Sequence, residues 1–177
     1  MTSDTPPDTA APRDDFLAAL RRVPEPVTVV ASRGPAGPGA ITVSAFSSVS
    51  ADPPTVLICL QSKGSAAAAV IENGCFTVNF LSDEDKALAE LCAGRTSGDQ
   101  PGSDHSARLA AEGWHTGADG LPRWGKAIAV LTCALHKTVE IGSHCVLIAR
   151  VTRAETGPGE SALLYQGRDF HKLSGPV

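Results

Sequence analysis

The stretch at residues 41–60, ITVSAFSSVSADPPTVLICL, constrains this chain more than any other. It sets Thr42, Ser44, Ala45, Ser47, Ser48, Ser50 and Ala51, all small or hydroxyl-bearing, between two apolar strands. Small side chains let a flat ligand come close to the backbone, and hydroxyls and free amides can meet its polar edge. Pro53 and Pro54 then force a turn before a buried strand at 55–60. Read alone, the same residues also describe a serine-rich loop between two barrel strands.

Short β-rich runs surround this stretch. Residues 27–32 read as a strand, GPAGPG at 34–39 as a turn and 40–43 as the return strand, with further strands at 46–50 and 55–60. Residues 65–73 predict a helix with Ser65 as its N-cap and Gly74 at the C-cap. CFTVNF at 75–80 is a strand, and Asp83 opens a helix whose apolar side is Leu88, Leu91 and Cys92. Two long β-rich runs, 127–141 and 145–155, flank a Gly-Ser-His turn and predict a hairpin, and 162–165 is a last short strand. Upstream, residues 1–13 read as a disordered tail. Asp14 or Asp15 caps a helix running through Arg22, with Phe16, Leu17, Leu20 and Val23 at helical spacing. Residues 94–107 form a polar loop, and little regular structure is visible through Gly120.

Seven or so short strands with two or three inserted helices predict a mainly β fold, a closed barrel with helical additions, in one domain over 14–177. Strands cluster without βαβ alternation, which disfavours a doubly wound sheet. With a net charge of −4 and scattered basic residues, nothing suggests a nucleic-acid face, so no nucleic-acid partner is expected. No apolar run approaches the roughly 18 residues of a membrane span, and the polar, acidic start lacks an apolar leader core. Five cysteines without a C-x-x-C pair predict reduced, buried thiols and a cytoplasmic protein.

Two short segments carry candidate chemistry. In Gln61-Ser62-Lys63-Gly64-Ser65 a strand gives way to a helix, and amides, hydroxyls and a cation converge as a phosphate would need. A capped helix with a surface lysine would read the same way. Neither G-x-x-x-x-G-K-[ST] nor G-x-G-x-x-G is present, which disfavours ATP-type and Rossmann sites. In Glu140-Ile141-Gly142-Ser143-His144 a histidine stands at a hairpin tip, either as a reactive position or as a surface turn residue. His105, His115, Cys133, His136 and Cys145 lack metal-ligand spacing, and no G-x-S-x-G elbow exists.

Taken in order, ITVSAFSSVSADPPTVLICL, SKGS, FTVNFL, EIGSHCVLIARV and LLYQGRDF resemble the flavin reductase family with the FMN-binding split-barrel fold. In particular the chain resembles the small reductases of two-component flavin-dependent monooxygenases, and the resemblance covers about residues 16–170. It implies that Thr42, Val43, Ser44 and Ala45, with Ser48, Val49 and Ser50, hold the isoalloxazine and ribityl parts. Leu60, Gln61, Ser62, Lys63 and Ser65 would hold ribityl and phosphate, and Asn79 and Phe80 would border the site. His144 matches the histidine of the G-[DST]-H motif near the nicotinamide, as a positioner or proton source. Tyr165 and Arg168 match the Y-x-x-R-x-[FY] ending, also near the cofactors.

The implied cofactors are FAD or FMN with NADH, and the implied partners are a second copy in a homodimer and a transient monooxygenase. Alternatives are a pyridoxamine-phosphate oxidase relative, disfavoured by the Pro-Pro entry and the Gly-Ser-His hairpin, and a non-catalytic flavin-binding barrel. The chain departs from the family at Asp104-His105-Ser106-Ala107-Arg108, where many relatives carry Arg-Phe or Lys-Phe, and at Trp124, where an aliphatic residue is common.

Overall fold

The computed structural model describes residues 10–94, 104–173 and 175. Residues 1–9 of the expected tail and 95–103 of the expected loop lie outside the described residues. The chain opens with helix α1 (Arg13–Leu20), then strands β1 (Glu25–Pro26), β2 (Thr28–Ser32), β3 (Gly39–Val43), β4 (Phe46–Ala51) and β5 (Pro54–Gln61). Helix α2 (Ser65–Asn73), strand β6 (Cys75–Phe80), and helices α3 (Lys86–Cys92) and α4 (His105–Leu109) follow. Strands β7 (Trp114–Thr116), β8 (Pro122–Trp124), β9 (Ala129–Ile141), β10 (His144–Thr156), β11 (Leu163–Gln166) and β12 (Asp169–Lys172) complete the chain.

Seven strands form one sheet in the order β3-β2-β6-β9-β10-β5-β4, antiparallel throughout. Its two edge strands are consecutive in the chain, joined only by Ser44 and Ala45. The Phe46 N–H donates to Ser44 O at 2.8 Å and the Cys59 N–H to Ala45 O at 3.1 Å, so the sheet curls until its edges meet there. The inside is apolar: Val30, Ile58, Phe76, Val78 and Leu147 are completely buried in one cluster. On β2 the alternate residues Val29 and Ala31 face a second cluster, with Leu88 and Cys92 of α3, Leu109 of α4 and Trp124. With both faces of β2 covered, all five of its residues are buried.

Several expectations shift. Helix α1 stops at Leu20 and has Pro12, not an aspartate, at its N-cap, and Phe16 and Leu20 remain 55% and 45% exposed. The N-cap of α2 is Gly64, because Ser65 is already helical and its hydroxyl meets His105. Helix α3 begins after Asp85, whose carboxylate accepts from the Ser82 N–H and hydroxyl and holds residues 82–85 in a turn. Helix α4, the β7–β8 ribbon and β12 are additional elements. No helix among the described residues is long and apolar enough to cross a membrane.

Candidate functional site

A cavity of about 360 Å³ lies where the sheet edges meet, within the range of about 300–1,000 Å³ usual for small-molecule sites. Residues 41–45 form one wall and 59–61 another, with Ala93 and His144 closing it. Antiparallel register brings these together: His144 pairs with Gln61 on one side and Ile141 on the other. The cavity therefore gathers Thr42, Val43, Ser44, Ala45, Leu60, Gln61 and His144 from the expected site.

The hydroxyls of this wall are already engaged. Thr42 Oγ1 donates to the Ala89 carbonyl at 2.6 Å, hanging α3 on β3. Ser44 Oγ donates to the Glu25 carboxylate at 2.5 Å. Their oxygens remain acceptors, and the small Ala45 leaves the backbone open to a flat ring. His144 is exposed, with Nδ1 3.0 Å from Ser143 Oγ, on a hairpin turned by Gly142 at φ +60°.

The neighbouring turn carries the phosphate candidates. The Ser62 N–H donates to Ser143 O and the Gly64 N–H to Gln61 O, both at 3.0 Å, fixing the turn against the β9–β10 hairpin. The Ser62 hydroxyl oxygen is shielded from solvent beside the Cys145 thiol. Gly64 supplies no side-chain cap to α2, so among the described residues the helix's first turn has no side-chain cap, and Lys63 stands exposed beside it. Such a donor set fits a phosphate.

The other expected residues sit elsewhere. Ser48, Val49 and Ser50 are exposed on edge strand β4, where Val49 is the extra residue of a bulge. Asn79 is fully buried: Nδ2 donates to Val29 O and Thr77 Oγ1, both at 3.0 Å, and Oδ1 accepts the Trp124 N–H at 2.8 Å. Its side chain is a structural clamp rather than part of the cavity lining. Phe80 packs edge-on against Phe46 at 4.8 Å. Tyr165, on the three-stranded sheet β1-β11-β12, packs against Phe170 at 5.3 Å, and Arg168 is exposed at the β11–β12 turn. Neither lines the cavity of its own chain.

Sequence reasoning missed Ile41, Cys59 and Ala93 in the lining, and His105, whose Nε2 lies 2.8 Å from Ser65 Oγ. Cys59 had a signal: it alternates with buried Ile58 and Leu60 and so points to the other face of β5. Burial pushes the Cys92 and Cys133 thiols up to about 12, with Arg108 opposing at Cys92, so neither is a nucleophile near neutral pH.

Comparison with known proteins agrees with this geometry. The chain is 39% identical over 166 residues to the FMN reductase (NADH) RutF of Ancylobacter novellus, covering 94% of this chain and 88% of that one. Its fold matches BorF, the flavin reductase component of a bacterial two-component tryptophan halogenase, with TM-score 0.80, 29% identity and coverage of 93% and 100%. It also matches the NADH:FAD oxidoreductase SgcE6 of Streptomyces globisporus C-1027, with TM-score 0.79, 28% identity and coverage of 96% and 99%. The family model described as flavin reductase like domain matches residues 20–174, and with these relatives it makes the chain a member of the flavin reductase family with the split-barrel fold.

Proposed function

We propose that this protein is an NADH-dependent flavin reductase that reduces FMN or FAD and releases the reduced flavin to a partner monooxygenase. The observation that carries this reading is the cavity at the seam of the barrel, lined by residues 41–45 and 59–61 and continuous in chain with the uncapped start of α2. Bound flavin would supply the hydride acceptor for the reduced nicotinamide. The protein's share is placement. The wall at 41–45 admits a ring close to the backbone, and the α2 amides with Lys63 and Ser65 hold the phosphate. His144, fixed on a rigid hairpin, orients the nicotinamide. No side chain has to act as nucleophile.

The working unit in this reading is a homodimer. Its support is that Tyr165 and Arg168 lie outside the cavity lining of their own chain, so a second copy would bring them to the site. Five free thiols, three of them buried, support a reducing, cytoplasmic setting.

The experiment is NADH oxidation with FMN, FAD and riboflavin, with light scattering alongside. Flavin-dependent NADH consumption and a mass twice the 18.2 kDa of the chain are expected. His144→Ala should raise KM for NADH and leave flavin affinity nearly unchanged. Flavin binding without NADH consumption would make the protein a flavin carrier and end this reading.

A further inference from the structure

The structure places residues 104–108 directly against the start of α2. His105 Nε2 lies 2.8 Å from Ser65 Oγ, while its Nδ1 lies 3.1 Å from Ala40 O and 3.4 Å from Ala40 N. Arg108, one turn on, donates to the same Ala40 carbonyl at 2.7 Å. Ala40 belongs to β3, the sheet's edge strand, so α4 covers that edge and lets His105 bridge it to the phosphate turn.

We propose that His105 is a positioning residue for the flavin phosphate: its ring takes up a solvent proton when phosphate binds, and so turns the Ser65 hydroxyl hydrogen towards the phosphate. This rests on the reading that the start of α2 holds the phosphate. The reason is hydrogen-bond bookkeeping at one hydroxyl. In the neutral ring, the shorter Nδ1 contact makes Nδ1–H the donor to Ala40 O, so Nε2 must accept. Ser65 then spends its hydrogen on Nε2 and presents only lone pairs to an incoming phosphate oxygen. The other neutral tautomer would let Nδ1 accept the longer 3.4 Å contact from the Ala40 N–H, but it would give up the shorter bond and set the Nδ1 lone pair 3.1 Å from Ala40 O. Only the protonated ring donates on both sides, to Ala40 O and to Ser65 Oγ, which leaves the Ser65 hydrogen for phosphate.

The charges around the ring favour this order of events. Partial burial, then Arg108 on the same helix, hold the free imidazole below its ordinary pKa, with the Ala40 carbonyl and Asp104 opposing them. Strand β3 brings no titratable side chain, and on α2 the only one is Glu72 at the far end, with Lys63 just before its start. The ring is therefore neutral near pH 7 in the free protein, and an arriving phosphate is the anion that favours its charged form. Linkage fixes the sign. Phosphate affinity is flat above the bound-state titration and rises as pH falls through it. It levels off again below the free-state titration.

Histidine side-chain NMR, with His105 assigned by its loss in His105→Gln, tests this directly on the intact protein. FAD is the probe, because a monoester such as that of FMN itself titrates near a pKa of about 6. Riboflavin is the control without phosphate. The His105 titration is expected to move up on FAD and stay in place on riboflavin. FAD affinity should rise by up to about tenfold per pH unit between the two titrations, a slope that His105→Gln removes. An unmoved His105 titration on FAD overturns the proposal, even where Lys63→Ala weakens FMN and FAD selectively. If Lys63→Ala weakens FMN, FAD and riboflavin equally, the phosphate reading itself falls and takes the proposal with it.

Discussion

Ser44 donates its hydroxyl hydrogen to the Glu25 carboxylate at 2.5 Å, and Glu25 is paired in register with Tyr165. One hydrogen bond thus ties the cavity wall to the small sheet that carries the C-terminal motif. Ser44→Ala and Glu25→Gln should each lower stability, and the double variant should cost less than their sum. A coupling of about 1 kcal/mol is expected from urea unfolding of the four proteins. Strict additivity would show that the contact carries no energy. Ser44→Ala should also weaken flavin binding, by loosening the wall rather than by removing a donor.

The walls of this cavity were legible because contiguous segments carry them. Residues 41–45 and 59–61 flank the Pro-Pro turn, and two long β-rich runs around Gly142 announce the hairpin that presents His144. What could not be read depends on side chains far apart in sequence. The Ser65–His105 contact spans 40 residues. The three-residue strand β8 is held by Thr77 Oγ1 on Pro122 O at 2.6 Å and by Asn79 on the Trp124 N–H. Short runs such as Trp114–Thr116 carry no periodicity of their own. Strand β6 is buried on both faces, so its pattern could not say which way Asn79 points.

Asn79 makes a prediction that separates clamp from ligand. Asn79→Ala leaves the Trp124 N–H without its buried partner, at a cost of about 1–3 kcal/mol. Urea unfolding should show that loss, while the ratio of FMN to riboflavin affinity in the folded protein stays as it was. A changed ratio at unchanged stability would return Asn79 to the flavin site.

Acid stability should report on Arg123. Its side chain is 5% exposed, and its guanidinium grips Asp119 at 2.6 and 2.7 Å and reaches Glu155 at 3.1 Å. Those hydrogen bonds hold the Asp119 carboxyl at about 2, against about 3.9 for the unfolded chain. The contribution is therefore complete above about pH 4 and is lost as pH falls towards about 2. Asp119 is 40% exposed, so screening keeps the effect to about 1 kcal/mol. Asp119→Asn should be less stable than the parent at about pH 6, with the gap closing by about pH 2. A gap independent of pH would assign the effect to packing.

Arg168 sits at φ +74°, directly after Gly167 at φ +61°, and Gln166 pairs with Asp169 across them. Positive φ at both central residues is the two-residue hairpin geometry that favours Asn or Gly. An arginine there costs roughly 1 kcal/mol in the left-handed region. Arg168→Asn should raise stability by about 0.5–1 kcal/mol, since asparagine tolerates that conformation. A residue kept at a conformational loss needs a function that offsets it, and the side chain is exposed at the turn, free to reach a neighbouring copy. If it holds the nicotinamide, the stabilised variant should show a raised KM for NADH with flavin affinity retained. The two readouts move in opposite directions, so a folding defect cannot imitate the result. A more stable Arg168→Asn enzyme with unchanged NADH kinetics would mark Arg168 as a turn residue and leave His144 as the nicotinamide contact.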